Sequence, residues 1–289
     1  MATSKSEIQA LINLIDDPND TVYLPVRDRI IEIGSEITPE LERAWELEDL
    51  GELFRKRVEN LLHDIHISLV TKRLEAWRDG GGQDLLEGTL IVSRYRYPDL
   101  DERKVKLRLD RIGHSIAINL NEKMDELEQV HAFNHVFFGS YGFTGNKKNY
   151  HAPQNNFINE VLDTKKGNPV TLAIIYQLVA GELSLPIFGV NLPNHFVLSY
   201  VDNTRALNAL FYINAFSKGD ILGRNEINEF LAKLKIAPQP SFYVPCTNID
   251  IIRRQLNNVA NSYEKNGDQD RFRDASALRD LLGKPDGTY

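Results

Sequence analysis

An α+β fold, predominantly helical, is what three features of the sequence predict. Apolar residues recur at helical spacing through most of the first 137 positions and again after Cys246. Short strand-like runs are confined to Ile187–Val190, Phe196–Val201 and Ala209–Ile213. Just before them stands a clean helix start, Asn168-Pro169. The expected core is therefore one helix packed on a small antiparallel sheet, flanked by N-terminal and C-terminal helices.

The core helix is justified residue by residue. Asn168 suits an N-cap, and Pro169 suits the first helical position, where no amide donor is needed. Leu172, Ile175, Leu178, Val179 and Leu183 follow at helical spacing, which predicts one buried face. Ser184-Leu185-Pro186 ends the helix. The corner Leu192-Pro193-Asn194-His195 separates the first two strands and sets His195 at a strand mouth. A polar turn, Asp202-Asn203-Thr204, precedes the third strand.

Upstream, Ile8, Leu11, Ile12 and Ile15 form one amphipathic face, and Asp16-Asp17-Pro18-Asn19-Asp20 is a turn cluster. Val26, Ile30, Ile31 and Ile33 mark a second helix that Gly34 stops. Leu41, Ala44 and Trp45 mark a third. The pair around the turn has the form of one HEAT-type unit, too little for a stacked solenoid, and a helical cap is the plainer reading. Leu50, Leu53, Phe54, Leu61, Leu62, Ile65 and Leu69 predict a long helix, ended by Gly80-Gly81-Gly82. That triplet is a loop or a hinge. It is no phosphate loop, because no Lys-Ser or Lys-Thr pair follows it.

Leu85–Arg94 reads as a helix closed by Tyr95-Arg96-Tyr97-Pro98. Val105, Leu109, Ile112 and Ile116 mark the next, and Met124, Leu127, Val130, Phe133 and Phe137 another. Phe138 to Asn146 reads as an ordered glycine- and aromatic-rich loop. At the C-terminal end, Ile252, Leu256, Val259 and Tyr263, then Phe272, Ala275, Leu278 and Leu282, predict a helical hairpin of tetratricopeptide type. Lys284 to Tyr289 are expected to fray. The expected organisation is a helical region over 1–79, a core over 83–235 and the hairpin over 246–284.

Composition narrows the class. With 42% hydrophobic and 26% charged residues the chain reads as a folded soluble protein. A net charge of −7 argues against a general nucleic-acid surface, which needs clustered cations. The single cysteine, Cys246, excludes an intrachain disulfide framework and fits a reducing compartment. The start MATSKSEIQ has no apolar stretch for a signal peptide, and no run reaches membrane-span length. A cytoplasmic protein without membrane or nucleic-acid partners is expected.

The segments EGTLIVSRYRYPDLD, FFGSYGFTGNKKNYHAPQNNFINEVLDTKKGNPVTLAIIYQL and LPIFGVNLPNHFVLSY resemble the bacterial SirB-type branch of the transglutaminase-like superfamily, over about Leu85 to Leu222. The resemblance implies a papain-like α+β core and says little about activity. Active members of the superfamily carry Gly-x-Cys at the helix start, where a thiolate gains from the helix N-terminus and a nearby histidine. Here that stretch is Gly167-Asn168-Pro169, so Pro169 stands in the place of the nucleophile. The nearest hydroxyl, Thr171, is two residues on, about 200° around the helix, and reads as a helix-start residue bonding backbone.

His195 matches the superfamily histidine, which would move a proton in an active enzyme. Its other reading is a residue that bonds the Pro193-Asn194 corner. Asn214 falls where the third member orients the imidazole. Related chains commonly read Asp-Pro-Phe there, and this one reads Asn214-Ala215-Phe216. Asparagine can orient a histidine but stabilises a cation less well than a carboxylate does.

Other residues carry weaker signals. Pro169, Asn168, Asn156 and Tyr150 are placed along the same cleft as His195, although Asn155, Asn156, Tyr150 and His151 serve equally as loop caps. Cys246, before a Thr247–Asp250 capping pair, is a thiol from outside the matched core. His63 with His66, and His131 with His135, share helix faces without a clear third ligand, so no metal and no cofactor is expected. Two functions remain. One is a non-catalytic module that binds a protein or peptide partner. The other is a hydrolase or acyl-transferase using Thr171 or Cys246 with His195 and Asn214.

Overall fold

The computed structural model describes residues 4–46, 51–202 and 208–283. Leu50, part of the Asp202-Asn203-Thr204 turn and the 284–289 tail lie outside them. The chain divides into two compact units, Met1–Arg73 and Leu74–Tyr289.

The first unit contains α1 (Lys5–Ile12), α2 (Asp20–Ile33), α3 (Thr38–Trp45) and the beginning of α4 (Glu52–Asp79). Ile15, Ile30, Ile37, Leu41, Val58 and Leu61 form its fully buried centre. The acidic turn after α1 is held by a buried arginine. Arg57 donates to the Ile15 carbonyl at 2.8 Å and the Asp17 carbonyl at 2.6 Å, and its guanidinium lies 3.7 Å over the Tyr23 ring. A cation so placed satisfies carbonyls that the turn leaves unpaired.

The second unit opens on the last turns of α4, and the glycine triplet that follows is pinned and not a free hinge. Gly82 has φ +61°, and a Cβ there would meet Ile249 Cγ1 at 2.6 Å. The Asn248 amide holds the Gly82 and Gln83 carbonyls at 3.0 and 2.8 Å. Then follow α5 (Leu85–Arg96), α6 (Glu102–Ala117) and α7 (Glu126–Asn134), which runs straight into a π-helical turn, His135–Ser140. The expected loop therefore begins later than Phe138. The wider π turn lets the adjacent Phe137 and Phe138 both face inward, against Phe143, Phe133 and Tyr176.

A two-residue parallel pair, β1 (Thr144–Gly145) with β2 (Lys166–Gly167), brackets α8 (Ile158–Thr164). The core helix α9 (Pro169–Glu182) comes next. It is followed by a four-stranded antiparallel meander of β3 (Ile187–Leu192), β4 (His195–Asp202), β5 (Asn208–Asn214) and β6 (Asp220–Leu222). α10 (Arg224–Lys233) follows, and α11 (Asn248–Lys265) and α12 (Gln269–Leu281) close the unit. The fold is α+β and predominantly helical, as predicted.

α9 differs from the expected one-faced helix. From Pro169 to Ala180 only Gln177 and Leu178 are not buried, so both its faces are covered. One side meets the sheet, where Gln177 Oε1 accepts from the Gly189 backbone at 2.8 Å. The other sides meet α6, α8 and α11. The far face of the sheet is covered in turn. Ile227 and Leu231 of α10, with Phe242 and Tyr243, pack on Val190, Leu192, Val197 and Tyr212. Strands buried on two faces lose the alternating pattern, which is why Phe196 to Val201 of β4 is apolar at every position but Ser199. The C-terminal hairpin falls within this unit, where α11 packs against α5 and α9.

No helix among the described residues is long and apolar enough to cross a membrane. Ile175→Ala, at a wholly buried site, is expected to lower unfolding free energy by about 2–5 kcal/mol. Leu178→Ala, at a half-buried one, is expected to lower it by clearly less. Urea unfolding of both variants checks the ranking, and equal losses would place Leu178 in the core after all.

Candidate functional site

The start of α9 is where the sequence pattern meets the chemistry. Asn168 caps it, its Oδ1 accepting from the Thr171 backbone at 2.9 Å and from the Thr171 hydroxyl at 3.3 Å. Pro169 follows at the first helical position and is buried. The Thr171 side chain is 0% exposed and its hydroxyl is committed to the cap.

The cap is itself held from behind. Asn168 Nδ2 donates to Asn156 Oδ1 at 2.6 Å. Asn156 Nδ2 donates to Ser262 Oγ of α11 and to the Pro153 carbonyl, both at 3.0 Å. Gln255 Nε2 of α11 donates to the Asn156 carbonyl at 2.7 Å. Asn155 does parallel work on the loop before it. Its amide nitrogen holds the Asn149 and Tyr150 carbonyls at 2.7 and 3.0 Å, and its oxygen accepts from Asn146 at 2.9 Å. Pro169, Asn156 and Asn168 therefore do not line an open cleft, as the sequence leads one to expect. All three are buried, and the two amides are spent on each other and on α11. Of the four cleft candidates only Tyr150 reaches solvent, at 45% exposure, with its ring edge against Phe216.

His195 and Asn214 are brought together. His195 begins β4 opposite Leu192, across the two-residue Pro193-Asn194 turn in which Asn194 takes φ +56°. Proline's fixed φ followed by asparagine at positive φ is the type II combination. His195 Nε2 lies 3.3 Å from Asn214 Nδ2, at the end of β5. Asn214 Oδ1 accepts from the Ser217 backbone at 3.2 Å and so caps the short helix Ala215–Ser217. Burial, with the Arg254 guanidinium adding to it, moves the His195 pKa below its ordinary value. The ring is accordingly neutral at neutral pH.

Cys246 stands apart from this pair. Its backbone N–H donates to the Gly189 carbonyl at 2.9 Å, along the outer edge of β3. The thiol is pushed up to about 12, by burial first and then by the Asp250 carboxylate. It is thus protonated at neutral pH, the reverse of what its place before a helix predicts. Among the described residues no group of histidine, cysteine and carboxylate side chains is arranged to hold a metal, the two histidine pairs included. Two surface hollows, of about 750 and 530 Å³, are lined by other residues, among them Phe54 and Arg43 in one and Met124 and His131 in the other.

Comparison with known proteins places this arrangement. Residues 103–257, more than half the chain, match the transglutaminase-like superfamily, and the chain belongs to that superfamily. A UPF0162 protein of Xylella fastidiosa (strain 9a5c) is 30% identical over 177 residues, covering 60% of this chain and 58% of the relative. A UPF0162 protein of Vibrio cholerae is 28% identical over 185 residues, 62% and 66% of the two chains. Human F-box only protein 21 is 23% identical over 226 residues, 69% of this chain and 35% of its own. The chain thus spans less than two thirds of the length of each of these three relatives. No solved structure matches it.

Two outcomes test the local physics. Asn156→Ala strands the Asn168 amide inside the protein, and a loss of about 1–3 kcal/mol is expected in denaturant unfolding; a loss within error would mean that water replaces the side chain. A histidine whose folded pKa is lowered binds fewer protons folded than unfolded. The stability it contributes is full above the ordinary value of 6.5 and is lost as pH falls through the lowered one. Wild type should therefore lose stability more steeply than His195→Gln below pH 6.5; parallel pH profiles would show that His195 titrates normally.

Proposed function

We propose that this chain is a non-catalytic, SirB-type transglutaminase-like protein that binds a protein or peptide partner and works without cofactor or metal in the cytoplasm. The observation that carries the reading is Pro169. It sits buried at the first position of α9, where the superfamily's nucleophile would stand, and its ring has no atom that can attack a carbonyl.

The two substitutes weighed from the sequence are poorly suited to the task. Thr171 is wholly buried with its hydroxyl on Asn168, and Cys246 is held as a thiol beside Gly189. A hydrolase or acyl-transferase using either with His195 and Asn214 would have to break these contacts first. The human F-box only protein 21 matches this chain over only 35% of its length. A unit that recurs inside a longer chain suits a binding module. Strand addition is not the mode we favour. β3 is an outer strand of the meander, and its Gly189 N–H and C=O are already taken by Gln177 and Cys246.

The test is turnover. Purified protein is expected to release no ammonia from glutamine peptides, to join no fluorescent amine to casein and to hydrolyse no peptide amide above the level of its own His195→Ala variant. Activity present in the wild type and lost in both His195→Ala and Cys246→Ala, or in Thr171→Val, would overturn the proposal.

A further inference from the structure

The His195–Asn214 pair has a polarity that leaves its mark on the other ring nitrogen. The Ser217 backbone N–H occupies Asn214 Oδ1, so the amide nitrogen is the atom that faces His195 Nε2. An amide nitrogen offers only donors, so Nε2 of the neutral ring accepts and the ring proton resides on Nδ1. Turning the amide over would set its NH2 against the Ser217 N–H and remove the cap of Ala215–Ser217. A general base facing a nucleophile needs the opposite tautomer, with Nδ1 bare. Among the described residues Nδ1 has no hydrogen-bond partner, and His195 is only half-buried.

The surroundings favour a negative guest. Arg254 is anchored to Asn191 Oδ1 at 3.2 Å and to the Leu192 carbonyl at 3.5 Å, at the strand end that pairs with His195. The Phe230 ring, 5.4 Å from the imidazole, forms a side wall. Asn214 is neutral, so the pair itself carries no charge that would repel an anion.

We propose that His195 is a hydrogen-bond donor to a ligand through its Nδ1–H, and that the ligand group it takes is a carboxylate. This rests on the non-catalytic reading above and deepens it: the superfamily's proton acceptor serves here as an anion-binding donor. An aspartate at position 214 would undo both features. Its second oxygen would draw the proton to Nε2, and its charge would oppose the guest.

The experiment uses the full chain labelled with 15N-histidine, at about pH 8, above the ordinary histidine range. Long-range 1H–15N spectra are expected to show the His195 proton on Nδ1; a proton on Nε2 overturns the proposal. Sodium acetate, titrated against sodium chloride at matched ionic strength, is expected to shift the ring resonances saturably. Acetamide, the neutral counterpart, is expected to bind about tenfold more weakly or worse. No saturable shift, or equal affinity for the two, overturns the carboxylate assignment. Asn214→Asp is expected to move the proton to Nε2 and to weaken acetate about tenfold; unchanged affinity overturns it. Should that variant not fold, His195→Phe keeps a ring beside Phe230. The acetate response of the Leu192 and Phe230 amides must vanish in it, and persistence counts against the proposal. None of these readouts depends on turnover, so their failure leaves the non-catalytic reading standing, and turnover would end that reading whatever the tautomer.

Discussion

The hydrogen bond from Asn168 to Asn156 is the contact on which the second unit turns. α9 is buried on every side, so its first amides have no access to water and must be capped from within the protein. Asn168 provides the cap, but an amide side chain brings two donors of its own into the interior. Asn156 absorbs one of them and passes the demand on to Ser262 and the Pro153 carbonyl, and Ser262 passes its proton to the Asn258 carbonyl at 2.7 Å. A chain of this kind is favourable only when nearly complete, because each buried group left over costs about 1–3 kcal/mol. It therefore acts as one piece. The residues in it are fixed by their partners and have little freedom to serve a ligand.

That constraint explains why the neighbourhood resembles an active site and is unlike one in detail. A nucleophile at a helix start must be reachable and must face its base. Here the start of α9 is sealed beneath a cap. The polar groups that remain accessible belong to the other side of the arrangement, the β3–β4 hairpin and the end of β5. There one atom decides the chemistry. An aspartate at 214 could cap Ser217 with one oxygen and accept from the imidazole with the other. An asparagine that caps Ser217 must present its NH2, and so reverses the direction of the hydrogen bond.

Local signals were the legible ones. Asn168-Pro169 marks its helix because cap and first-turn preferences act within three residues. Thr247–Asp250 marks α11 for the same reason, with Asp250 N accepted by Thr247 Oγ1 at 3.1 Å. β3, β4 and β5 are legible as β-rich runs within a residue or two at each end, whereas β1, β2 and β6, of two or three residues each, are too short to show a pattern. α8 was missed because seven residues without a side-chain cap carry too little periodicity. α10 is not among the helices expected above, although Gly223 with Glu226 three residues into the helix, then Ile227 and Leu231 four apart, is a readable start and stripe. What could not be read was burial. Asn156 looks the same whether it lines a cleft or caps an interior, and its deciding partners, Gln255 and Ser262, lie about 100 residues away. The orientation of the Asn214 amide is hidden likewise, since it depends on which backbone N–H the turn of Ala215–Ser217 presents.

The same partners change what the C-terminal hairpin is for. Read alone, α11 and α12 look like a repeat unit appended to a core. α11 in fact closes the asparagine chain through Gln255 and Ser262. Through Arg254 it also ties down the end of β3 opposite His195. Its neighbour Cys246 occupies the Gly189 carbonyl on the outer edge of the sheet. The matched family region ends at residue 257, before Ser262, yet the helix start inside that region is satisfied from beyond it. The boundary of sequence similarity is thus not the boundary of the physical unit. The site includes α11, because Gln255 and Ser262, which hold Asn156 behind the α9 cap, and Arg254, the cation beside His195, are carried on that one helix.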